Sequence, residues 1–491
     1  MAFFQRLLKG APAQAPGPTF DDDEIYPVGM LDGTKTLRNI VVTWTLRFND
    51  VLDADLLHSS LSRLLEIGDW RKAGGRLRLK DNGSLEIYVP KTFTAERPAV
   101  SYSRQTFDTT IEEHPLAKGL PTATEAPSLH PNPRDFQTFA IAQDAPTQLS
   151  DFLAGDVPLL SLQISSFNNA TLVGLSYPHL LMDVMGQQAL VRSWSLLLAG
   201  REAEIPRLLG AREDIMAQIV DEASEEEYML KKQQLKGWSL ATFGARFAWD
   251  MLMNRVVETR AIYLPKSAMT KLTLQARESI PKETTSVETP FISDGDVLTA
   301  WGIRALAVSL PQPRSITALH ALNARFRLKT LIEAPGIYMQ NLAVAAFAFI
   351  PANVARGPLG PIALANREHL MAQATEPQIR ASLRELCQQA GNGPVDPATM
   401  LYSDPNAVLM PWTNWTKADF FNVIDFSPAV LKSGSAKPGA LVYHHASSTR
   451  ASASERNILI VFGKDREGGY WLSGSLLPGA WRELEQSLKG L

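Results

Sequence analysis

The most regular hydrophobic pattern in the chain runs from Leu159 to Leu198. Two β-prone apolar runs, Leu159 to Phe167 and Thr171 to Tyr177, flank a turn-forming Asn168-Asn169. From Asp183 the period changes, and Val184, Leu190, Val191, Trp194, Leu197 and Leu198 fall at helical spacing. Pro178 disfavours α geometry at Tyr177 and helps to fix the boundary. The pattern predicts strand, turn, strand, loop and helix, with His179 at the joint where the buried strand ends.

The remaining pattern organises itself around this unit. Thr36 to Phe48 alternates, is β-branched and predicts a strand. Asp53 can cap a helix to about Ile67, with Leu56, Leu57, Leu61, Leu64 and Leu65 along one side. Gly74 to Leu79 and Leu85 to Val89 predict a hairpin turned at Asp81-Asn82-Gly83. Pro98 to Pro158 has little periodicity and predicts a surface-wrapping segment with short pieces of structure. Gly200 to Val257 holds an acidic-to-basic run, Asp221 to Lys232, then an amphipathic aromatic stretch, Trp238 to Met253, and reads as a helical crossover.

Beyond it come a strand at Arg260 to Leu264 and helices at Lys266 to Ala276 and Ser293 to Leu306. Ile316 to Leu328 reads as a strand leading to two arginines. A strand to Ile350 follows Tyr338-Met339-Gln340-Asn341, and Glu368 to Gln389 reads as one helix. Asn422 to Asp425 and Ala440 to Tyr443 flank a loop. A hairpin, Asn457 to Phe462 and Tyr470 to Ser475, and a helix from Pro478 to Leu488 close the chain. Strands, a long helix and a hairpin thus occur twice, which predicts two similar α/β halves with mixed sheets and a central cleft or tunnel. The expected division is a flexible leader over 1–19, an N-terminal domain over 20–205, a crossover over 206–257 and a C-terminal domain over 258–491. Part of about 400–430 is expected to pack on the first half.

Composition narrows the function classes. At 491 residues the chain is too long for one core. It is 45% hydrophobic and 20% charged with net charge −3, so overall charge gives no reason to expect nucleic acid or an anionic membrane as partner. The longest apolar runs, such as Leu342 to Ile350, are too short to span a bilayer. The first residues lack the apolar core of a signal peptide. Cys387 is the single cysteine, which excludes an intrachain disulfide and a cysteine metal site and points to a reducing, cytoplasmic compartment.

Of the eight histidines only His179 has an aspartate four residues on, Asp183. An imidazole of pKa near 6.5 can take a proton at cellular pH, so His179 is the candidate general base. No Gly-x-Ser-x-Gly elbow occurs, and Cys387 sits in a helical stretch, so the chain offers no nucleophile of its own. Gly186 suits close packing of helix on sheet. No metal is expected.

Taken together, these pieces resemble the BAHD acyltransferases, particularly their fungal branch. The family's His-x-x-x-Asp-x-x-Gly motif stands as His179, Asp183 and Gly186. Ser293 to Arg304 looks like its Ala-x-x-x-Arg helix. Asn323-Ala324-Arg325-Phe326-Arg327-Leu328 stands where it has a Val-Asp-Gly-Arg-x-Arg-like strand. Tyr338 to Asn341 resembles its Tyr-x-Gly-Asn, and Thr413-Asn414-Trp415 with Asp425-Phe426 resembles its Thr-Ser-Trp … Asp-Phe-Gly-Trp-Gly segment. The likeness runs from about residue 25 to 490. It implies a chloramphenicol-acetyltransferase-like fold and transfer of an acyl group from acyl-CoA, as cosubstrate, to a hydroxyl or amine of a small secondary metabolite. No permanently bound cofactor, and a monomer, go with it.

The resemblance also implies that Asp183 points away from substrate and pairs with an arginine. Arg304 or Arg325 could serve Asp183 or Asp425. Thr413 and Asn414 become oxyanion candidates, and Lys432 and Lys437 candidates for the coenzyme phosphates. Two departures stand out: Asp425-Phe426 continues as Ser427-Pro428 instead of Gly-Trp-Gly, and Asn323 replaces an aspartate. The first keeps open a second use of the fold, in which His179 drives a Dieckmann-type condensation or another cyclisation of a polyketide-derived substrate without CoA. A carrier-dependent condensation domain would show His-His-x-x-x-Asp, but position 178 is Pro. A non-catalytic binding relative would not need His179 and Asp183.

Overall fold

The computed structural model describes residues 17–221, 226–281, 290–390, 397, 400–452 and 454–491. Most of the expected leader, and part of the charged run after Asp221, lie outside the described residues.

Two mixed sheets carry the molecule. The first has five strands in the order Tyr443–Ser448, Val41–Phe48, Thr171–Pro178, Ser161–Ser166, Ser101–Thr106. Its pairs are antiparallel except the last, which is parallel. The second has seven, in the order Ala343–Ile350, Ile316–Asn323, Val408–Asn414, Ile458–Lys464, Tyr470–Leu476, Glu258–Leu264, Ser128–His130. Ile316–Asn323, Val408–Asn414 and Ile458–Lys464 run parallel. The halves exchange strands: Tyr443–Ser448 comes from the second half of the chain and Ser128–His130 from the first. A smaller pairing, Val430–Lys432 against Val51–Leu52, ties the halves again. Phe420, Phe421, Ile424 and Phe426 are buried in the first half's core.

All eight residues of Val41–Phe48 are buried, because both faces of the first sheet are covered. On one face Trp44 packs on Phe420 at 4.7 Å and Phe48 stacks on Phe426 at 5.1 Å, with Trp194 of helix Val184–Leu198 closing over Phe426 at 4.7 Å. On the other face, the weakly periodic stretch before Pro158 supplies the cover. Ser165 donates to the carbonyl of Phe139 at 2.9 Å and Gln137 donates to Ser447 at 3.1 Å.

Three expected elements change shape. The strand predicted over Ile316 to Leu328 stops at Asn323, whose side chain accepts from the Arg325 amide at 3.0 Å and turns the chain into a short 3₁₀ helix, Ala324–Phe326. The helix predicted over Glu368 to Gln389 is two, Leu359–Gln373 and Glu376–Ala390, because Pro377 fits a first turn but not a helix interior. Ala440 to Tyr443, expected to border a loop, leads into the strand Tyr443–Ser448. The crossover contains helices Ile215–Asp221 and Gly237–Met253. Among the described residues no helix is long and apolar enough to cross a membrane.

Candidate active site

His179 follows the strand Thr171–Pro178 directly, and its amide donates at 2.8 Å to the carbonyl of Ile40, the residue just before the neighbouring strand. The sheet ladder therefore holds its backbone one residue past the strand end. The side chain is half-buried. Burial pushes its imidazole below the usual histidine range, while its own carbonyl, the charge of Asp183 and the Asn341 side chain pull the other way. The net direction is downward, so the ring is neutral at neutral pH. Nδ1 is buried and without a hydrogen-bond partner.

Asp183 does two jobs in one place. Its Oδ1 accepts from the amides of Met185 and Gly186 at 3.1 and 3.0 Å, capping helix Val184–Leu198. Its Oδ2 accepts from Arg325 Nη1 at 2.6 Å and from the Leu342 amide at 3.0 Å. The other Arg325 amine, Nη2, donates to the carbonyls of Tyr338 and Gln340 at 3.0 and 2.6 Å. Both partners of the ion pair are nearly buried, at 8% and 11% exposure, so the hydrogen bonds around them matter as much as the charge. Arg304, the other arginine considered, is exposed on helix Asp294–Ser309.

Gly186 explains how the second half comes so close. A Cβ there would lie 2.1 Å from the Met339 carbonyl oxygen and 2.7 Å from Met182 Cβ. Only glycine lets the Tyr338-to-Asn341 backbone rest on the first turn of this helix.

The same backbone reaches His179. Asn341 Nδ2 donates to the His179 carbonyl at 2.9 Å. Asn341 is in turn held by Asp32, whose Oδ1 accepts from its amide at 2.7 Å and from Nδ2 at 2.8 Å. Asp32 is 3% exposed, and burial raises its carboxyl to about 6, against the pull of the buried Lys72 cation and the Asn341 hydrogen bonds. Sequence reasoning missed Asp32 and Lys72. Asp32 bonds Asn341 across 309 positions, and no local spacing marks it.

The structure brings together His179, Asp183, Gly186 and Arg325, but not every other candidate. Thr413 and Asn414 end the strand Val408–Asn414. Thr413 Oγ1 accepts from Trp415 Nε1 at 3.2 Å, and Asn414 Oδ1 accepts from the Thr416 amide at 2.9 Å, leaving the Thr413 O–H and Asn414 Nδ2 as donors. Asn414 Nδ2 lies 3.0 Å from where a Cβ of Gly295 would stand, at the start of helix Asp294–Ser309.

Phe426 is fully buried, and Asp425 is exposed, receiving the Ser427 amide at 3.0 Å. Phe426 stacks on Phe48, which pairs with Thr171 at the end of the first sheet opposite His179. Lys432 and Lys437 are exposed in the loop that follows, and Lys432 donates to the Asn168 carbonyl at 3.2 Å beside that same end. Asp50 organises the loop through the amides of Gly434, Ser435 and Gly439. Roughly 25 Å of strand separates both lysines' loop from His179.

A half-buried histidine thus stands at the joint of the two halves, in a loop braced by an aspartate turned onto an arginine. Comparison with known proteins gives the family. No protein-family model matches the chain. It is 36% identical over 493 residues to the O-acetyltransferase PaAT-2 of Phomopsis amygdali, covering 96% of this chain and 98% of that one. It is 34% identical over 482 residues to the acetyltransferase pyiB of Pyricularia grisea, covering 96% and 95%. The fold matches the crystal structure of TRI101 of F. graminearum complexed with coenzyme A and T-2 mycotoxin, at TM-score 0.65, 16% identity, and 95% and 97% coverage. The chain belongs to the BAHD acyltransferase family, on its fungal branch, and is an acyltransferase.

Proposed function

We propose that the protein moves an acyl group from acyl-CoA to a hydroxyl of a small secondary metabolite, with His179 as general base. His179 Nε2 takes the proton of the acceptor hydroxyl, since Nδ1 is buried. The acceptor oxygen attacks the thioester carbon and the C–S bond breaks. The imidazolium gives its proton to the departing thiolate, so coenzyme A leaves as the thiol and the ring returns to neutral. Both substrates are bound together, because no side chain of this chain would carry the acyl group between steps. The observation that carries the reading is a half-buried imidazole at the end of strand Thr171–Pro178, in a loop fixed by Asp183, Arg325 and Asn341. Among the described residues the Thr413 O–H and Asn414 Nδ2 have no acceptor, which supports them as oxyanion donors. Asp183, Gly186 and Arg325 position the base. The names of the relatives favour an acetyl donor and an oxygen acceptor.

The condensation reading rested on Ser427-Pro428, which lie beside Phe426 at the end of the first sheet opposite His179. Nothing at the base is altered by them. The enzyme acts as a cytoplasmic monomer in this reading.

The test is incubation with acetyl-, malonyl- and longer acyl-CoAs and a metabolite extract, read by mass spectrometry. The expected result is a product heavier by one acyl group with free coenzyme A in equal amount. Turnover of linear esters in the absence of CoA, with none in its presence, would favour cyclisation instead.

A further inference from the structure

Helix Gly237–Met253 of the crossover is built inside out. Only Phe243 of its seventeen residues is buried. Its inward side is held by polar contacts: Asp250 pairs with Arg314 at 2.8 Å, and Arg456 donates to the Asn254 carbonyl at 2.9 Å. Trp238, Ala241, Ala245, Trp249 and Leu252 fall at i, i+3, i+7, i+11 and i+14, one helical stripe, and every one is exposed. Trp238 is 87%, Trp249 61% and Leu252 49% exposed, with Met253 at 56% and Val256 at 61% beside them. A surface helix ordinarily turns its polar face outward. A contiguous exposed apolar stripe marks a contact surface.

Charge selects the occupant. The helix's one acid, Asp250, is turned inward onto Arg314. Lys232, Lys236, Arg246 and Arg255 around the stripe are exposed and have no carboxylate within ion-pair distance among the described residues. The nearest upstream acids face elsewhere: Glu226 accepts from Gln378, and Glu227 pairs with Lys231 at 3.1 Å. Four such cations, unpaired among the described residues, on a chain of net charge −3 are a local feature. They would repel a second copy of the same face and attract an anionic surface.

We propose that this face docks the enzyme on an anionic lipid bilayer, the tryptophans and Leu252 entering the headgroup boundary and the cations meeting lipid phosphates and carboxylates. The helix lies in the membrane plane and spans nothing. Such docking would concentrate the enzyme where apolar acceptors partition.

The test is co-sedimentation of the full chain with phosphatidylcholine vesicles, with and without about one third phosphatidylserine. Wild type is expected to bind the serine-containing vesicles with a blue shift of tryptophan emission. The combined change Trp238→Ser, Trp249→Ser and Leu252→Ser should lower that binding at least about tenfold with the melting temperature kept. Should that variant fold poorly, the pair Lys236→Glu and Arg246→Glu gives the same reading through loss of binding to serine-containing vesicles. Wild type left in the supernatant overturns the proposal, as does undiminished binding by the folded variants. So does a wild-type dimer that the stripe variant makes monomeric while neither binds vesicles, which would assign the face to a second copy of this chain.

Discussion

Asp32 is a buried carboxyl remote in sequence from the motif, yet it holds Asn341, whose side chain holds the His179 carbonyl. Its Oδ1 receives two hydrogen bonds from Asn341, at 2.7 and 2.8 Å. An amide oxygen can accept both as well, but a methyl cannot. Asp32→Asn should therefore keep kcat within a few-fold of wild type, and Asp32→Ala should lower it at least about tenfold by freeing Asn341. Equal kcat values for the two variants would remove Asn341 positioning from the mechanism. The base itself makes a second residue-scale prediction. Burial lowers the His179 pKa below 6.5, so the acid limb of kcat/KM should fall below that value, with full activity above it. An acid limb centred above 6.5 contradicts the assignment.

At the scale of elements, the first turn of helix Val184–Leu198 is where the two halves are joined. Gly186→Ala would force the Met339 carbonyl away from a Cβ otherwise 2.1 Å from it, at a cost of about 1–3 kcal/mol. Thermal melting should show the loss, and kcat should fall with it because Asn341 shifts too. Asp183→Ala removes the cap and leaves the Arg325 guanidinium buried and unpaired, a loss of about 3–5 kcal/mol read by urea unfolding. The joint was legible in sequence because the strand period, Pro178 and the helical period meet at consecutive residues. The motif residues His179, Asp183 and Gly186 stand within one turn of chain. Arg325 could be narrowed only to a choice with Arg304, since which arginine faces Asp183 is decided by the turn that Asn323 makes. Asp32 was invisible, for its partner in the fold stands 309 positions along the chain. Lys432 and Lys437 stand in a loop whose amides Asp50 gathers, at the end of the first sheet opposite His179.

At the scale of the whole molecule, the exchange of Tyr443–Ser448 and Ser128–His130 makes each sheet depend on both halves of the chain. Neither strand was legible as a sheet member: one carries two histidines, and the other is three residues long. Those two histidines, with His320 of strand Ile316–Asn323, set the response to acid. Burial holds His320 at about 4 and His444 and His445 at about 3, and His444 Nδ1 accepts from Trp44 Nε1 at 3.2 Å, which needs the neutral ring. The unfolded chain binds protons at these sites near 6.5, so stability is full above that pH and falls as pH drops below it, by roughly 2 kcal/mol per histidine at pH 5. Asp32, raised to about 6, works in the opposite direction between pH 6 and its unfolded value, one carboxyl against three imidazoles. The urea midpoint should decline steadily from pH 6.5 to 5, and a constant midpoint over that range contradicts the buried neutral histidines. The proposed function turns on one imidazole, and replacing it tests the account most directly. His179 Nδ1 has no hydrogen-bond partner, so little stability is lost with the ring. With acetyl-CoA and an acceptor that wild type turns over, His179→Ala should melt within a few degrees of wild type and lose about a thousandfold in kcat/KM. Undiminished release of coenzyme A by that variant would contradict the assignment of His179 as the base.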